Sequence, residues 1–312
     1  MVGTAPVTNA RTLNAWRRWG YRLLPGDAFS YILHMRPAEW PIMAGHTLLG
    51  YVLAVGVKGV GSQQLGPALL ALVIWVVFLN GGTLAINSVF DKDEGDIGYL
   101  NAPPQLPRYL LHFSLALLIG GQLLALMLPI GFQVAYAICF VLSILYSVPP
   151  FRFKAVAGVD WVINMWGFGT LTPYAAWAAT GRPLDLGSGL VLFAFCPLFA
   201  GLYPLTQLYQ FEEDRQRGDR TLALILGMRV SLILATLCVL VAFVVFVSAA
   251  VLLGVGPKGY ALGLPLILWL TVLLPWLSRH DRWSPSQHQR GMYRALAAWA
   301  VTDLTVLFVF AT

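Results

Sequence analysis

Eight of the 14 acidic residues of this 312-residue chain fall in two short clusters: Asp91, Asp93, Glu94 and Asp96, then Glu212, Glu213, Asp214 and Asp219. In each, an amide stands four residues before a carboxylate, Asn87 before Asp91 in NSVFDKDEGD and Gln210 before Asp214 in YQFEEDRQRGD. On a continuing helix, residues four apart share a face. Two carboxylate-rich helix ends facing one cavity suit Mg²⁺, which binds through one or two carboxylates and takes further ligands from substrate phosphates. Such a pair recognises a diphosphate. Basic residues for the same phosphates follow in YSVPPFRFK: Pro149 and Pro150 stop a helix, Arg152 offers a bidentate fork, Lys154 a point charge, and Tyr146 and Ser147 hydroxyls. Arg36, in HMRPAEW, snorkels to the membrane surface and also reaches an anion beside the clusters.

These residues are carried on apolar segments. Hydrophobic residues make up 58% of the chain and charged residues 11%, against roughly 25% charged in soluble proteins, so a water-soluble fold is excluded. Cys139, Cys196 and Cys238 are odd in number and lie in apolar runs, which excludes a disulfide scaffold. Stretches long enough to cross a bilayer, about 20 residues each, fall near 29–57, 66–89, 107–128, 131–148, 157–179, 187–211, 229–254, 259–278 and 291–311. The expectation is an all-α polytopic membrane protein with nine transmembrane helices spanning 29–312. Residues 1–28 form a basic cytoplasmic arm without the apolar core of a secretory signal, suited to membrane lipids.

Charge placement gives the orientation. With nine crossings, 17 of the 20 Lys and Arg fall on one side, and only Lys58, Arg182 and Lys258 on the other. Basic residues concentrate on the cytoplasmic side, so the amino terminus is expected in the cytoplasm, the carboxyl terminus opposite, and both acidic clusters cytoplasmic, in the cell's inner (cytoplasmic) membrane. The net charge of +6 is thereby explained without nucleic acid. Polar residues lie deeper: Asp160 and Asn164 on the fifth segment, with Asp160 close enough to Lys154 to pair with it, Thr206, Gln207 and Tyr209 before the second cluster, His46, and Asp303 within the last segment, read as making a structural hydrogen bond. Ionisable groups at that depth are costly and are functional candidates by default. Among the 40 aromatics, Tyr146, Trp161, Trp166, Tyr174, Trp177, Tyr203 and Tyr209 are candidates to stabilise a cation.

Taken together, RPAEW, NSVFDKDEGD, YSVPPFRFK and YQFEEDRQRGDRTLALILG resemble the UbiA superfamily of intramembrane prenyltransferases, over the chain from about residue 30 onward. The resemblance implies a central cavity open to the cytoplasmic side and laterally to lipid, with Mg²⁺ bridging the two acidic motifs and the diphosphate of an isoprenyl substrate. It assigns Asn87, Asp91 and Asp214 as catalytic, with Asp91 and Asp214 as metal ligands and Glu94, Asp96, Gln210 and Glu213 as further metal candidates. Arg36, Tyr146, Arg152 and Lys154 then face the diphosphate, and Asn164, Gln207 and Tyr209 line the cavity. The chain departs from the family pattern at Ser88 and Gly95, where Asp is common, at Gln210 in place of a leading Asp, and at GYLNAPPQLP, where an Arg-Pro pair is usual.

The expected reaction is transfer of the isoprenyl group to an aromatic, quinone-precursor or other lipophilic acceptor. Breaking the allylic carbon–oxygen bond leaves an anion to neutralise and a carbocation to shield from water. The alternative within the same fold is a terpene cyclase, in which a double bond of the donor's own chain attacks the cation. A transporter is the reading from another class. It is disfavoured because the polar groups gather on one face, not along a path through both.

Overall fold

The computed structural model describes residues 15–91, 100, 102–211, 215 and 221–312. Among them there is no β-strand. The helices are α1 (Ala15–Leu23), α2 (Ala28–His34), α3 (Trp40–Val55), α4 (Leu65–Asp91), α5 (Leu110–Ala125), α6 (Ile130–Ser147), α7 (159–179), α8 (Leu186–Leu208), α9 (Leu222–Leu252), α10 (Gly263–Arg279) and α11 (Pro285–Ala311). Six helical segments are long and apolar enough to cross a membrane: α4, α6, α8, α9, the stretch Gly256–Arg282 that contains α10, and α11. The helices α3 and α5 are shorter but apolar.

Helix ends follow local chemistry. Asp185 caps α8 by accepting from Ser188 N at 2.9 Å, Thr221 caps α9 by accepting from Leu224 N, and Ser284 opens α11 with Gln287 as a capping box ahead of Pro285. Two expected helices are divided differently from their hydropathy. The stretch 29–57 is not one helix, because after His34 the chain turns at Arg36 (φ 50°) and Pro37 before α3 begins at Trp40. Pro37 lacks the N–H and disfavours helical backbone at Arg36. In α9, Gly227 (φ 76°, ψ 161°) breaks the first turn from the long apolar run after it.

The bundle has two packed halves. In one, α8, α9, α10 and α11 bury Phe195, Leu198, Val239, Phe246, Trp269 and Trp276. In the other, α4, α5, α6 and α7 bury Ile74, Trp75, Leu118, Phe132, Tyr136 and Ala175. Helix α3 belongs to both, with Leu49 in the first core and Met43 in the second. Without a hydrophobic force between helices in lipid, association depends on close backbone approach at small residues. Gly50 of α3 lies against the carbonyl of Pro173 on α7, which a Cβ would overlap, and a Cβ on Gly169 would lie 2.5 Å from the carbonyl oxygen of Phe195 on α8.

That packing is testable within α3. Gly50→Ala is expected to destabilise the protein by about 1–3 kcal/mol, lowering its thermal midpoint in detergent. Gly45→Ala, on the same helix with open space around it, is expected to leave the midpoint unchanged or slightly raised. Equal losses from both would argue against the close α3–α7 contact.

Candidate active site

Between the halves lies a cavity of about 500 Å³, walled by α3, α4, α6, α7, α8 and α11. Its two ends differ chemically. At one end Arg36, Asn87, Tyr146, Asn164, Tyr209 and Gln210 reach the wall. Asn87 accepts a hydrogen bond from Ser147 Oγ, which ties α4 to the last turn of α6. One turn beyond Asn87, Asp91 closes α4 and is paired with Lys154, while Arg152 Nη2 stands 3.7 Å from the same oxygen. The Asp91 and Lys154 side chains are only 22% and 13% exposed, so the pair is screened less than a surface ion pair.

The loop that presents these cations is shaped by its sequence. Pro149 and Pro150 end α6, and Arg152 takes the left-handed region (φ 39°), uncommon for a residue with a Cβ. Arg36 shares that conformation (φ 50°) on the opposite wall. Beside it, burial pushes the Glu39 carboxyl up in pKa, and the Arg36 charge opposes the shift.

The other end is apolar and aromatic. Trp75, Phe168, Phe199 and Trp299 line it, with Phe168 stacked on Phe199 at 5.2 Å and Trp299 edge-on to Phe199. His46 is the exception. Its Nε2 lies 3.2 Å from the carbonyl oxygen of Gly169, and its Nδ1 lies 3.4 Å from Asp303 Oδ2. Asn80, buried and on the wall, leaves its Nδ2 without a partner.

Between the ends runs a polar network. Asp160 accepts from Gly158 N at 2.9 Å, Tyr203 Oη at 3.2 Å and Gln207 Nε2 at 3.4 Å, and Tyr203 Oη is 3.2 Å from Tyr146 Oη. Gln207 in turn accepts from Ala223 N at the start of α9. Gln207 thus acts behind the wall and does not line the cavity. Asp160 does not pair with Lys154, which is engaged by Asp91.

Among the sequence-selected residues, Asn87 and Asp91 lie one turn apart on α4 and are brought to Arg152, Lys154 and Tyr146. At the second cluster the described residues reach Gln210 and Phe211, and the spacing from Gln210 to Asp214 lies outside them. Helix α8 ends at Leu208, and Gln210 lies past it in a turn whose N–H bonds to the Gln207 carbonyl. Asp214, Glu213, Glu94 and Asp96 lie outside the described residues. Trp161, Trp166, Tyr174 and Trp177 do not line the cavity: Trp161 donates to the Ala200 carbonyl, and Trp177 packs in a separate cluster with Tyr51. The lining aromatics that the sequence did not single out are Trp75, Phe168, Phe199, Tyr293 and Trp299, whose only signal was their type in an aromatic-rich chain.

Among the described residues no group of three or more His, Cys, Asp or Glu side chains is placed to hold a metal. The donors present, a carboxylate and an amide oxygen one turn apart, fit a hard cation that takes most of its ligands from water and phosphate.

An all-helical bundle with six helical segments long and apolar enough to cross a membrane, around a cavity polar at one end and aromatic at the other, is the architecture of an integral membrane protein. The family model for the UbiA prenyltransferase family matches residues 40–301, and the chain belongs to that family as a membrane prenyltransferase. It is 30% identical over 246 residues to digeranylgeranylglyceryl phosphate synthase of Natronomonas pharaonis, covering 77% of this chain and 81% of the relative. It is 28% identical to lycopene elongase/hydratase of Haloarcula japonica, over 69% and 74% of the two chains. The fold matches a UbiA homolog from Archaeoglobus fulgidus bound to GPP and Mg²⁺, with a TM-score of 0.65 at 18% identity over 88% of this chain and 99% of that one. It also matches a digeranylgeranylglyceryl phosphate synthase structure with a TM-score of 0.68, at 18% identity over 90% and 98%.

The His46–Asp303 pair yields a prediction. Asp303→Leu leaves a buried imidazole nitrogen without its partner and is expected to cost about 1–3 kcal/mol, read as a lowered thermal midpoint in detergent. Asp303→Asn, which can still hydrogen-bond Nδ1, is expected to lose less than half as much. An unchanged midpoint in Asp303→Leu would show that the pair contributes nothing to folding.

Proposed function

We propose that the protein is a Mg²⁺-dependent intramembrane prenyltransferase that moves an isoprenyl group from an isoprenyl diphosphate to a lipophilic acceptor. The observation that carries this reading is the cavity's polarity: Arg36, Asn87, Tyr146 and Gln210 line one end, with the Asp91, Arg152 and Lys154 group one helical turn beyond Asn87 and outside the lining, and an aromatic chamber forms the other. In this reading nine helices cross the inner membrane, the polar end opens to the cytoplasm, residues 1–28 lie on the cytoplasmic surface, and the carboxyl terminus is on the far side.

Asp91 and Asp214 would hold Mg²⁺, with the Asn87 amide alongside and Glu94, Asp96, Gln210 and Glu213 as auxiliary donors. Bound there, the ion supplies charge neutralisation to the leaving diphosphate. Arg152 and Lys154 pair with Asp91, so they are positioned to turn to phosphate oxygens, and Arg36 faces them from the opposite wall. The allylic cation is held by the faces of the lining rings, worth up to about 2 kcal/mol each when desolvated. The same rings keep water from C1. Similarity to a digeranylgeranylglyceryl phosphate synthase favours a lipid alcohol as acceptor, with aromatic quinone precursors as the other class.

Purified protein given Mg²⁺ and geranylgeranyl diphosphate is expected to release diphosphate and prenylate one of a panel containing geranylgeranylglyceryl phosphate and hydroxylated aromatic acids. A cyclic hydrocarbon from the donor alone would overturn transfer in favour of cyclisation. Asp91→Ala and Asp214→Ala are each expected to lower turnover by at least a hundredfold at equal folded protein. Near wild-type turnover in either would exclude its carboxylate from the metal site.

A further inference from the structure

Asp160 is not explained by the diphosphate chemistry. It is 1% exposed, lies at the start of α7, and among the described residues has only neutral donors around its carboxylate: Gly158 N, Tyr203 Oη and Gln207 Nε2. The nearest loop cations, Arg152 and Lys154, are aimed at Asp91. The directions of its hydrogen bonds follow by counting protons once Asp160 is taken as ionised. The carboxylate then only accepts, and a phenol has one hydrogen. Tyr203 spends its hydrogen on Asp160 and must therefore accept at its own oxygen, so Tyr146 donates to Tyr203 across the 3.2 Å between them. Tyr146 Oη is thereby left on the cavity wall with its hydrogen turned away, one lone pair engaged by the Asn164 side chain and the other able to accept. Its chain neighbour Ser147 donates to Asn87, which puts that phenol at the end where the donor's C1 parts from its diphosphate.

We propose that Tyr146, Tyr203 and Asp160 form a proton relay that carries away the proton lost in the bond-forming step, a role that rests on the prenyl-transfer reading above. When the carbon–oxygen bond at C1 breaks, its electron pair leaves with the diphosphate. The acceptor's X–H group, a hydroxyl or an activated ring carbon, then forms the X–C1 bond. Its proton passes to Tyr146 Oη as Tyr146 gives its own to Tyr203 and Tyr203 gives its own to Asp160 Oδ2. The products are the prenylated acceptor, diphosphate and a protonated Asp160, and rotation of the two hydroxyls after the proton is returned to water resets the chain. Tyr146 is the group that touches substrate. Tyr203 and Asp160 act through it, and Gln207, anchored to Ala223 N, holds the carboxylate in line.

The relay differs from a purely structural network in what fails when it is cut. Ionisation of the donor does not need it, whereas capture by the acceptor does. The experiment uses the full chain in detergent with Mg²⁺, geranylgeranyl diphosphate and the acceptor panel named above. Diphosphate released is counted against prenylated acceptor plus any hydrocarbon; geranylgeraniol, whose proton passes to solvent without the relay, is counted apart. In the wild type the ratio is expected to be near one. In Tyr203→Phe, which deletes only the middle hydroxyl, it is expected to rise about tenfold, with geranylgeraniol from water capture filling the difference. Asp160→Asn and Tyr146→Phe are expected to shift the ratio the same way. A ratio near one in folded Tyr203→Phe, whatever its rate, would overturn the relay while leaving transfer standing. Absence of Mg²⁺-dependent diphosphate release from the wild type would overturn the transfer reading and the relay with it.

Discussion

The architecture depends on a carboxylate being paired with two cations at the edge of an apolar bundle. Asp91 ends α4, and Lys154 and Arg152, delivered by the proline-terminated loop after α6, close around it. Removing either side of such a partly buried pair leaves an uncompensated charge, which costs more than the pair itself contributes. The pair, together with the Ser147–Asn87 hydrogen bond, fixes the register of α4 against α6. That register sets where the polar end of the cavity begins. In the proposed reading Lys154 and Arg152 would exchange the Asp91 carboxylate for a phosphate, so that the site is preformed without a buried lone cation.

The sequence made the membrane class and the first acidic motif legible, because both are local. Apolar runs of spanning length need no tertiary information, and Asn87 and Asp91 share a face on any helix that reaches Asp91. At the second motif the sequence does not mark where the helix stops: YQFEEDRQ carries no strong helix breaker, yet α8 ends at Leu208, before Gln210. The start of α11 was placed six residues late, since His288, Arg290 and Arg294 depress hydropathy, although Ser284-Pro285 with Gln287 is a helix-start signature. The break at Arg36-Pro37 was signalled by the proline and overridden by the apolar residues on either side. Of the cavity's aromatics only Tyr146, Tyr203 and Tyr209, near the motifs, were legible. Which of 40 rings face inward depends on helix rotation, and in lipid both faces of a helix can be apolar, so no amphipathic pattern marks the inner one.

Helix rotation is itself set by features that hydropathy does not see. The α4 helix contains a π-helical stretch, Ile74–Asn80, and α7 contains another, Met165–Leu171. Both contribute to the cavity wall, through Trp75, Leu79 and Asn80 on one side and Gly167 and Phe168 on the other. Widening a turn adds a residue without adding a helical step, so the residues after it are rotated by roughly 100° relative to an uninterrupted helix. In α4 this rotation lies between the membrane-buried Trp75 and the motif residues Asn87 and Asp91. It is what allows both the aromatic and the polar groups of one helix to face the same chamber.

A π-helical turn also disturbs the regular backbone ladder, which in the apolar phase must be made good by other groups. In α7 the repairs are visible and come from the cavity itself. Thr172 Oγ1 donates to the Gly167 carbonyl at 2.8 Å and accepts from Trp75 Nε1 at 3.2 Å, linking the two widened helices, while His46 of α3 reaches the Gly169 carbonyl. His46 is then held from behind by Asp303 of α11. Two deep polar residues noted in the sequence, His46 and Asp303, therefore share a structural cause with Thr172. His46 and Thr172 meet the backbone that the π turn exposes, with Asp303 behind His46, and so keep the wall of the chamber widened. Asp160 lies apart from that repair, accepting from Gly158 N, Tyr203 and Gln207, and this contrast separates the carboxylate beside the widened turn from the one proposed to take part in the chemistry.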